Sequence, residues 1–270
     1  MKLSIGISPC PNDTYIFDAI YNKKIDCTPF EFQFYFEDVE TLNKMSFEEK
    51  FDCVKLSYAQ YFNILSKYVM LKSGSALGSG VGPLLISNKH LNLDKITTCK
   101  IAIPGIHTTA NFLFDYAFPN TDNKIEIRFD KIENAILNNE VDAGVIIHEN
   151  RFTYQSKGFK KLIDLGDYWE EKTSLPIPLG GIAVRRNLPQ ELKHKLANLI
   201  KQSIMYANTH NKSISNFVQN HAQEMDKDVM QQHINLYVNN DSLYIGAKGI
   251  QAVHKMKEIC GVLDSDNLFA

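Results

Sequence analysis

The sequence offers no framework of cysteines. Its five, Cys10, Cys27, Cys53, Cys99 and Cys260, are odd in number and scattered, with no CxxC pair and no histidine at metal-ligand spacing. Neither disulfides nor a bound metal are expected, and a reducing cytoplasm is the simpler setting. Charge of one sign is missing too: 29 Lys and Arg face 31 Asp and Glu, a formal net charge of -2. That balance gives nucleic acid or an anionic membrane nothing to grip, so an anionic ligand must be held by local donors. No apolar run approaches the roughly 18 residues of a membrane span. The N-terminus alternates like a strand from Met1 to Ser8 and then meets Asn12 and Asp13, with no signal-peptide core, so the protein is expected to stay in the cytoplasm. Linkers rich in Pro, Gly or Ser are absent between the α/β halves, which places any crossing between lobes in strands.

What remains is ordinary globular material: 270 residues, 44% hydrophobic and 22% charged, enough for one large domain or two modest lobes. Short β-branched and aromatic runs alternate with helical stretches, the pattern of βα units around mainly parallel sheets. Leu3, Ile5 and Ile7 read as a first strand, and Phe30, Phe32, Phe34 and Phe36 as a second. Further strands are expected at Cys53–Leu56, Val69–Leu71, Pro83–Ser87, Lys100–Ile103, Ile125–Phe129, Val141–Ile147, Leu162–Leu165 and Gly181–Val184. After Pro189 the pattern turns helical, with Leu192, Leu196, Leu199, Ile200 and Ile204 on one face. The expected crossings, near Ser87–Asn88 and Ala183–Val184, divide the chain into a larger lobe (1–87 plus 184–270) and a smaller one (88–183).

A weak internal echo links Phe51–Ser57 to Val141–His148. Each has an acidic residue at a helix-to-strand turn, an apolar strand, and a polar residue at the strand's C-terminal end, where open parallel sheets bind ligands. Either two similar lobes send Ser57 and His148 into one cleft, or any two βα units look this much alike.

Five segments could carry chemistry. Ser8-Pro9-Cys10-Pro11-Asn12-Asp13-Thr14 is a rigid loop before a helix expected to start near Tyr15, with Asn12 and Thr14 as candidate ligand contacts and Asn12 or Asp13 as plain caps otherwise. Cys10 has no neighbouring base and is discounted as a nucleophile. The glycine-rich run Gly74–Pro83 lacks the lysine of a phosphate-binding loop and reads as a flexible segment. Pro104–Ala110 leaves backbone donors at a helix start where a carboxylate could sit, or where Thr108 simply caps; His107 could line the cleft or face solvent. In Leu175–Gly181 two prolines and two glycines make a stiff return crossing, or merely a loop before a strand.

The most informative segment is Gly144–Tyr154, in which a buried strand delivers His148 beside Glu149, Asn150 and Arg151. An ordinary histidine pKa of about 6.5 suits proton transfer near neutrality. The alternative is a structural strand-end histidine. His90, His194, His210, His221, His233 and His254 sit in polar or helical surroundings and are expected at the surface.

Taken together, SPCPNDT (8–14), KLS (55–57), the run to GPLL (82–85), PGIHTTA (104–110), GVIIHENRFTY (144–154) and LPIPLGG (175–181) resemble, in order, the 1,4-dihydroxy-6-naphthoate synthases of the futalosine route to menaquinone. The resemblance implies a periplasmic-binding-protein-like α/β fold of the second type, two lobes with mixed sheets around a ligand cleft. It also implies a cofactor-free and metal-free lyase that fragments cyclic dehypoxanthine futalosine, a small-molecule carboxylate, into 1,4-dihydroxy-6-naphthoate and a sugar-derived piece. His148 matches the family's general base, while Lys55, Leu56, Ser57, Thr109 and Ala110 match its substrate contacts. Nucleic-acid and membrane partners are not implied, and the oligomeric state is left open. Chorismate dehydratase of the same pathway and a non-catalytic carboxylate-binding protein are the competing readings.

Overall fold

The computed structural model describes all residues except 81, 211–212, 224–225 and 264–266. The first alternating run becomes β1 (Lys2–Ile7), with Leu3, Ile5 and Ile7 buried. It is followed by α1 (Pro11–Tyr21), β2 (Glu31–Phe36), α2 (Val39–Ser46), β3 (Cys53–Ser57), α3 (Tyr58–Tyr61), β4 (Tyr68–Met70) and β5 (Ala76–Gly78). Then come β6 (Leu84–Ser87), β7 (Ile101–Ile103), α4 (Thr109–Ala117), β8 (Lys124–Glu126), α5 (Ile132–Leu137), β9 (Ala143–Ile146), α6 (Asn150–Thr153), β10 (Lys160–Asp164) and α7 (Leu165–Thr173). A nine-residue strand, β11 (Ile177–Arg185), leads into α8 (Gln190–His210), α9 (Asn216–His221), α10 (Lys227–Tyr237), α11 (Asn240–Leu243) and α12 (Ala247–Ile259).

Two mixed sheets result. The first runs β2-β1-β3-β11-β4, with β5 also on β11; the second runs β10-β6-β9-β7-β8. Both contain the same parallel triplet, β2-β1-β3 and β8-β7-β9, and each triplet meets an antiparallel strand next, β11 or β6. The sheets are thus mixed, as the resemblance implied, although the alternation of strands and helices alone pointed to mainly parallel pairing.

The internal echo is a structural repeat. Asp52 N–H donates to Ser4 O (3.1 Å) while its carboxylate accepts from Ser4 N–H (2.8 Å). Asp142 makes the same reciprocal pair with Lys100, at 2.8 and 2.9 Å. Each aspartate locks the start of β3 or β9 onto the neighbouring strand, which fixes where the far end of that strand emerges.

The chain changes sheet earlier than the strand pattern suggested. β5 pairs in the first sheet and β6 in the second, so the crossing runs through the glycine-rich segment rather than at Ser87–Asn88. The return lies between β10 and β11, ahead of Ala183–Val184. Pairing decides this, because Leu84, Leu85 and Ile86 lie against Ile146, Val145 and Gly144.

α8 buries Leu196, Leu199, Ile200 and Ile204 against Ile5, Ile7 and Ile182. Each such fully buried side chain contributes roughly 1.5–3 kcal/mol. α10 packs on α1 and β5, carrying the helical tail to the edge of the cleft. Among the described residues no helix is long and apolar enough to cross a membrane.

Candidate active site

One cavity lies where the two sheets meet, with about 670 Å³ of empty volume counting its open mouth. The 8–14 loop and β3 supply its first wall. α1 starts at Pro11 rather than near Tyr15, because proline's missing N–H costs nothing at a first helical position. That start places Asp13 inside the first turn, where it pairs with Lys55 from β3 (Nζ–Oδ1 2.5 Å, side chains 7% and 1% exposed). Asn12 Nδ2 also donates to Asp13 Oδ1 (2.8 Å), and Ser8 N–H donates to Oδ2 (3.3 Å). Such a buried pair survives only when its remaining lone pairs are satisfied, as here. Ser57 closes β3; its N–H donates to Asn43 Oδ1 (3.0 Å), and Asn43 Nδ2 donates to Ser57 Oγ (3.1 Å) and to His107 O (3.3 Å).

The 104–110 loop and the start of α4 form the second wall. Thr108 caps the helix, its hydroxyl accepting from Asn111 N–H (3.1 Å). The first turn carries no acidic residue, so the backbone donors at Thr109 and Ala110 keep their affinity for an anion. Thr109 Oγ1 is committed to structure, donating to Leu179 O (2.7 Å) and accepting from Ala59 N–H (3.3 Å). Glu40 on α2 accepts from His107 N–H (3.1 Å), tying this loop to the first sheet, and burial raises its carboxyl to about 7.

His148 sits just past β9, at a backbone φ of 58° that L-residues seldom adopt. Strain of that kind at a cleft is a motive to look for function. The side chain is half-buried on the cavity wall, but its Nε2 is sealed from solvent without a hydrogen-bond partner. Burial lowers its pKa to about 4; Asp13 pulls it up and Lys55 pushes it down. At neutral pH the imidazole is therefore an uncharged acceptor.

His148, Lys55, Leu56, Ser57, Thr109, Ala110 and Asn12 all line this cavity. Thr14 does not reach it, because its Oγ1 turns back onto Cys10 O (3.0 Å) and Pro11 O (3.3 Å) inside the helix. His107 packs edge-on against Phe47 instead of entering the cleft. Leu179 and Gly180 do line it; a Cβ at Gly180 would fall 2.6 Å from Leu56 O. Arg151 is structural, donating to Asp164 Oδ2 (2.8 Å) and to the carbonyls of Gly80 and Gly82. The expectation of a surface His233 is overturned: it is fully buried and lines the cavity with Tyr237. Met230, His233, Ile234 and Tyr237 recur at helical spacing along α10, a stripe visible in the sequence although polar residues surround it. Asp13, taken only as a possible cap, was also missed as Lys55's partner.

A profile of the menaquinone-biosynthesis family matches residues 3–261. A Thermus thermophilus protein named 1,4-dihydroxy-6-naphthoate synthase is 41% identical over 254 residues, covering 94% of this chain and 92% of its own length. A Streptomyces coelicolor protein of the same name is 37% identical, covering 93% and 90%. The chain belongs to this menaquinone-biosynthesis family. A Candida albicans protein described as having the generic periplasmic binding protein fold superposes with a TM-score of 0.70 at 12% identity, covering 99% of this chain and 92% of that one. The fold of this family member is therefore periplasmic-binding-protein-like, with its cavity between the two sheets.

Among the described residues one group could hold a cation: Cys10, His148 and Glu149 each offer a donor atom, all within 4.8 Å of one another. Cys10 is a poor ligand, because burial first and Glu149 second hold its proton on well above the usual thiol range. The cavity thus pairs a donor-rich helix start and a buried ion pair with a neutral histidine, a set suited to holding a carboxylate while a proton is removed.

Proposed function

We propose that this chain is a 1,4-dihydroxy-6-naphthoate synthase, a lyase acting on cyclic dehypoxanthine futalosine without a cofactor. The observation that carries the reading is that His148 and the start of α4 line the same cavity. The aryl carboxylate of the substrate sits at the N–H groups of Thr109 and Ala110, held by unpaired donors and the helix dipole rather than by net charge. His148, uncharged at neutral pH, takes the proton whose removal starts fragmentation. Aromatisation of the released product drives the step. Asp13 lies close enough to favour the imidazolium that forms, since its charge acts to raise the His148 pKa. Leu56, Ala76, Ile147 and Leu179 give the ring system an apolar bed and exclude water.

Incubating the purified protein with cyclic dehypoxanthine futalosine and following 1,4-dihydroxy-6-naphthoate by mass spectrometry tests this. The wild type should form product, and His148→Ala should be slower by about 100- to 10,000-fold. A folded wild type that forms none rejects the reading, and chorismate is then the next substrate to try.

A further inference from the structure

α10 buries Met230, His233, Ile234 and Tyr237 along one face. The odd member is His233: it is 0% exposed, and neither Nδ1 nor Nε2 has a hydrogen-bond partner. Its ring stands 4.6 Å from that of Tyr237 and 6.1 Å from that of His148, on the cavity wall. Leaving a buried polar group unpaired costs roughly 1–3 kcal/mol. For packing alone, leucine or phenylalanine would fill the position without that penalty. Burial, with His148 and Lys55 adding to it, pushes the His233 pKa well below the ordinary value, so the ring is neutral. A neutral imidazole has one donor and one acceptor nitrogen. Whichever nitrogen faces the ligand, a hydroxyl can meet it, since a hydroxyl both gives and takes a hydrogen bond; a carboxylate could use only the donor and an ammonium only the acceptor.

We infer that His233 is a substrate-binding residue whose ring hydrogen-bonds a hydroxyl of the ligand's sugar-derived part and holds it against His148. The inference rests on the synthase reading. It assigns a role to the helical tail, which none of the sequence motifs reached.

The test compares wild type, His233→Phe and His233→Gln in turnover and thermal melting. Removing an unpaired polar group from a packed site should leave the Tm of His233→Phe equal to or above that of the wild type. Its kcat/KM should fall by about ten-fold or more, the effect of one lost hydrogen bond in a dry site. His233→Gln, which keeps a donor and an acceptor, should recover part of the loss. A His233→Phe protein with a normal or raised Tm and kcat/KM within two-fold of wild type would overturn the inference while leaving the synthase reading intact. Should His233→Phe not fold, equal kcat/KM for His233→Gln and His233→Met overturns it, and a clear advantage for Gln supports it. Absence of turnover by the wild type itself would sink both.

Discussion

The repeat sets two equivalent helix starts on the cavity, and they are built to opposite ends. α1 begins with a proline, which removes a donor, and has Asp13 as its third residue. That carboxylate takes the donors of Ser8, Asn12 and Lys55 for itself. α4 begins with Thr109 and Ala110, and its third residue is Asn111, whose amide is spent on Ile106 O and Lys124. One start is filled by its own anion, and the other stays open to a foreign one. The same βα unit serves twice because a single carboxylate decides whether the helix terminus is left open to an anion or stabilises a buried lysine.

Making the first start resemble the second should have the largest effect. Asp13→Asn leaves Lys55 buried without its counter-charge, and denaturant unfolding should report a loss of about 3–5 kcal/mol. Next comes the pH dependence of His148. The acid limb of kcat/KM should fall near pH 4, not near the ordinary 6.5, because burial disfavours the imidazolium. The unfolded chain then takes up this proton more readily than the folded one. Stability from His148 is full above pH 6.5 and is lost as pH falls toward 4, which urea midpoints against a His148→Gln background should show. Glu40, raised to about 7 by burial, works in the opposite sense, hence the paired background. Making the second start resemble the first, Asn111→Asp should weaken 1,4-dihydroxy-6-naphthoate binding by about ten-fold through like-charge repulsion, as calorimetric titration would measure. Smallest is Thr108→Ala, which removes the α4 cap and should cost about 1 kcal/mol in thermal melting.

Much of this architecture was legible in the chain. Strands such as β1, β3, β6 and β9 are runs of β-branched and aliphatic residues, and α8 displays its buried stripe openly. His148, Ser57 and Thr109 could be placed because they stand at strand ends or helix starts, where position follows from topology, whereas Lys55, in the middle of β3, came only with the family resemblance. What escaped depended on partners distant in sequence. β5 is three residues of a glycine-rich run whose place in the sheet depends on pairing with β11, far along the chain. Asp13 looked like a cap because Lys55, its partner, is 42 residues away. His233 was hidden by its polar neighbours on α10, although the spacing of Met230, Ile234 and Tyr237 marks its face as inward. Thr14 was overread because a hydroxyl near a ligand loop and one bonded to its own helix are alike in sequence.

Lys55 is the natural rival to α4 for a carboxylate, so the deciding measurement is a crystal structure with 1,4-dihydroxy-6-naphthoate bound. The account predicts the carboxylate oxygens within hydrogen-bond distance of the Thr109 and Ala110 N–H groups, with the Lys55–Asp13 pair intact and the dihydroxy ring toward His148. A carboxylate seated on Lys55, with Asp13 displaced and the α4 start empty, would contradict it.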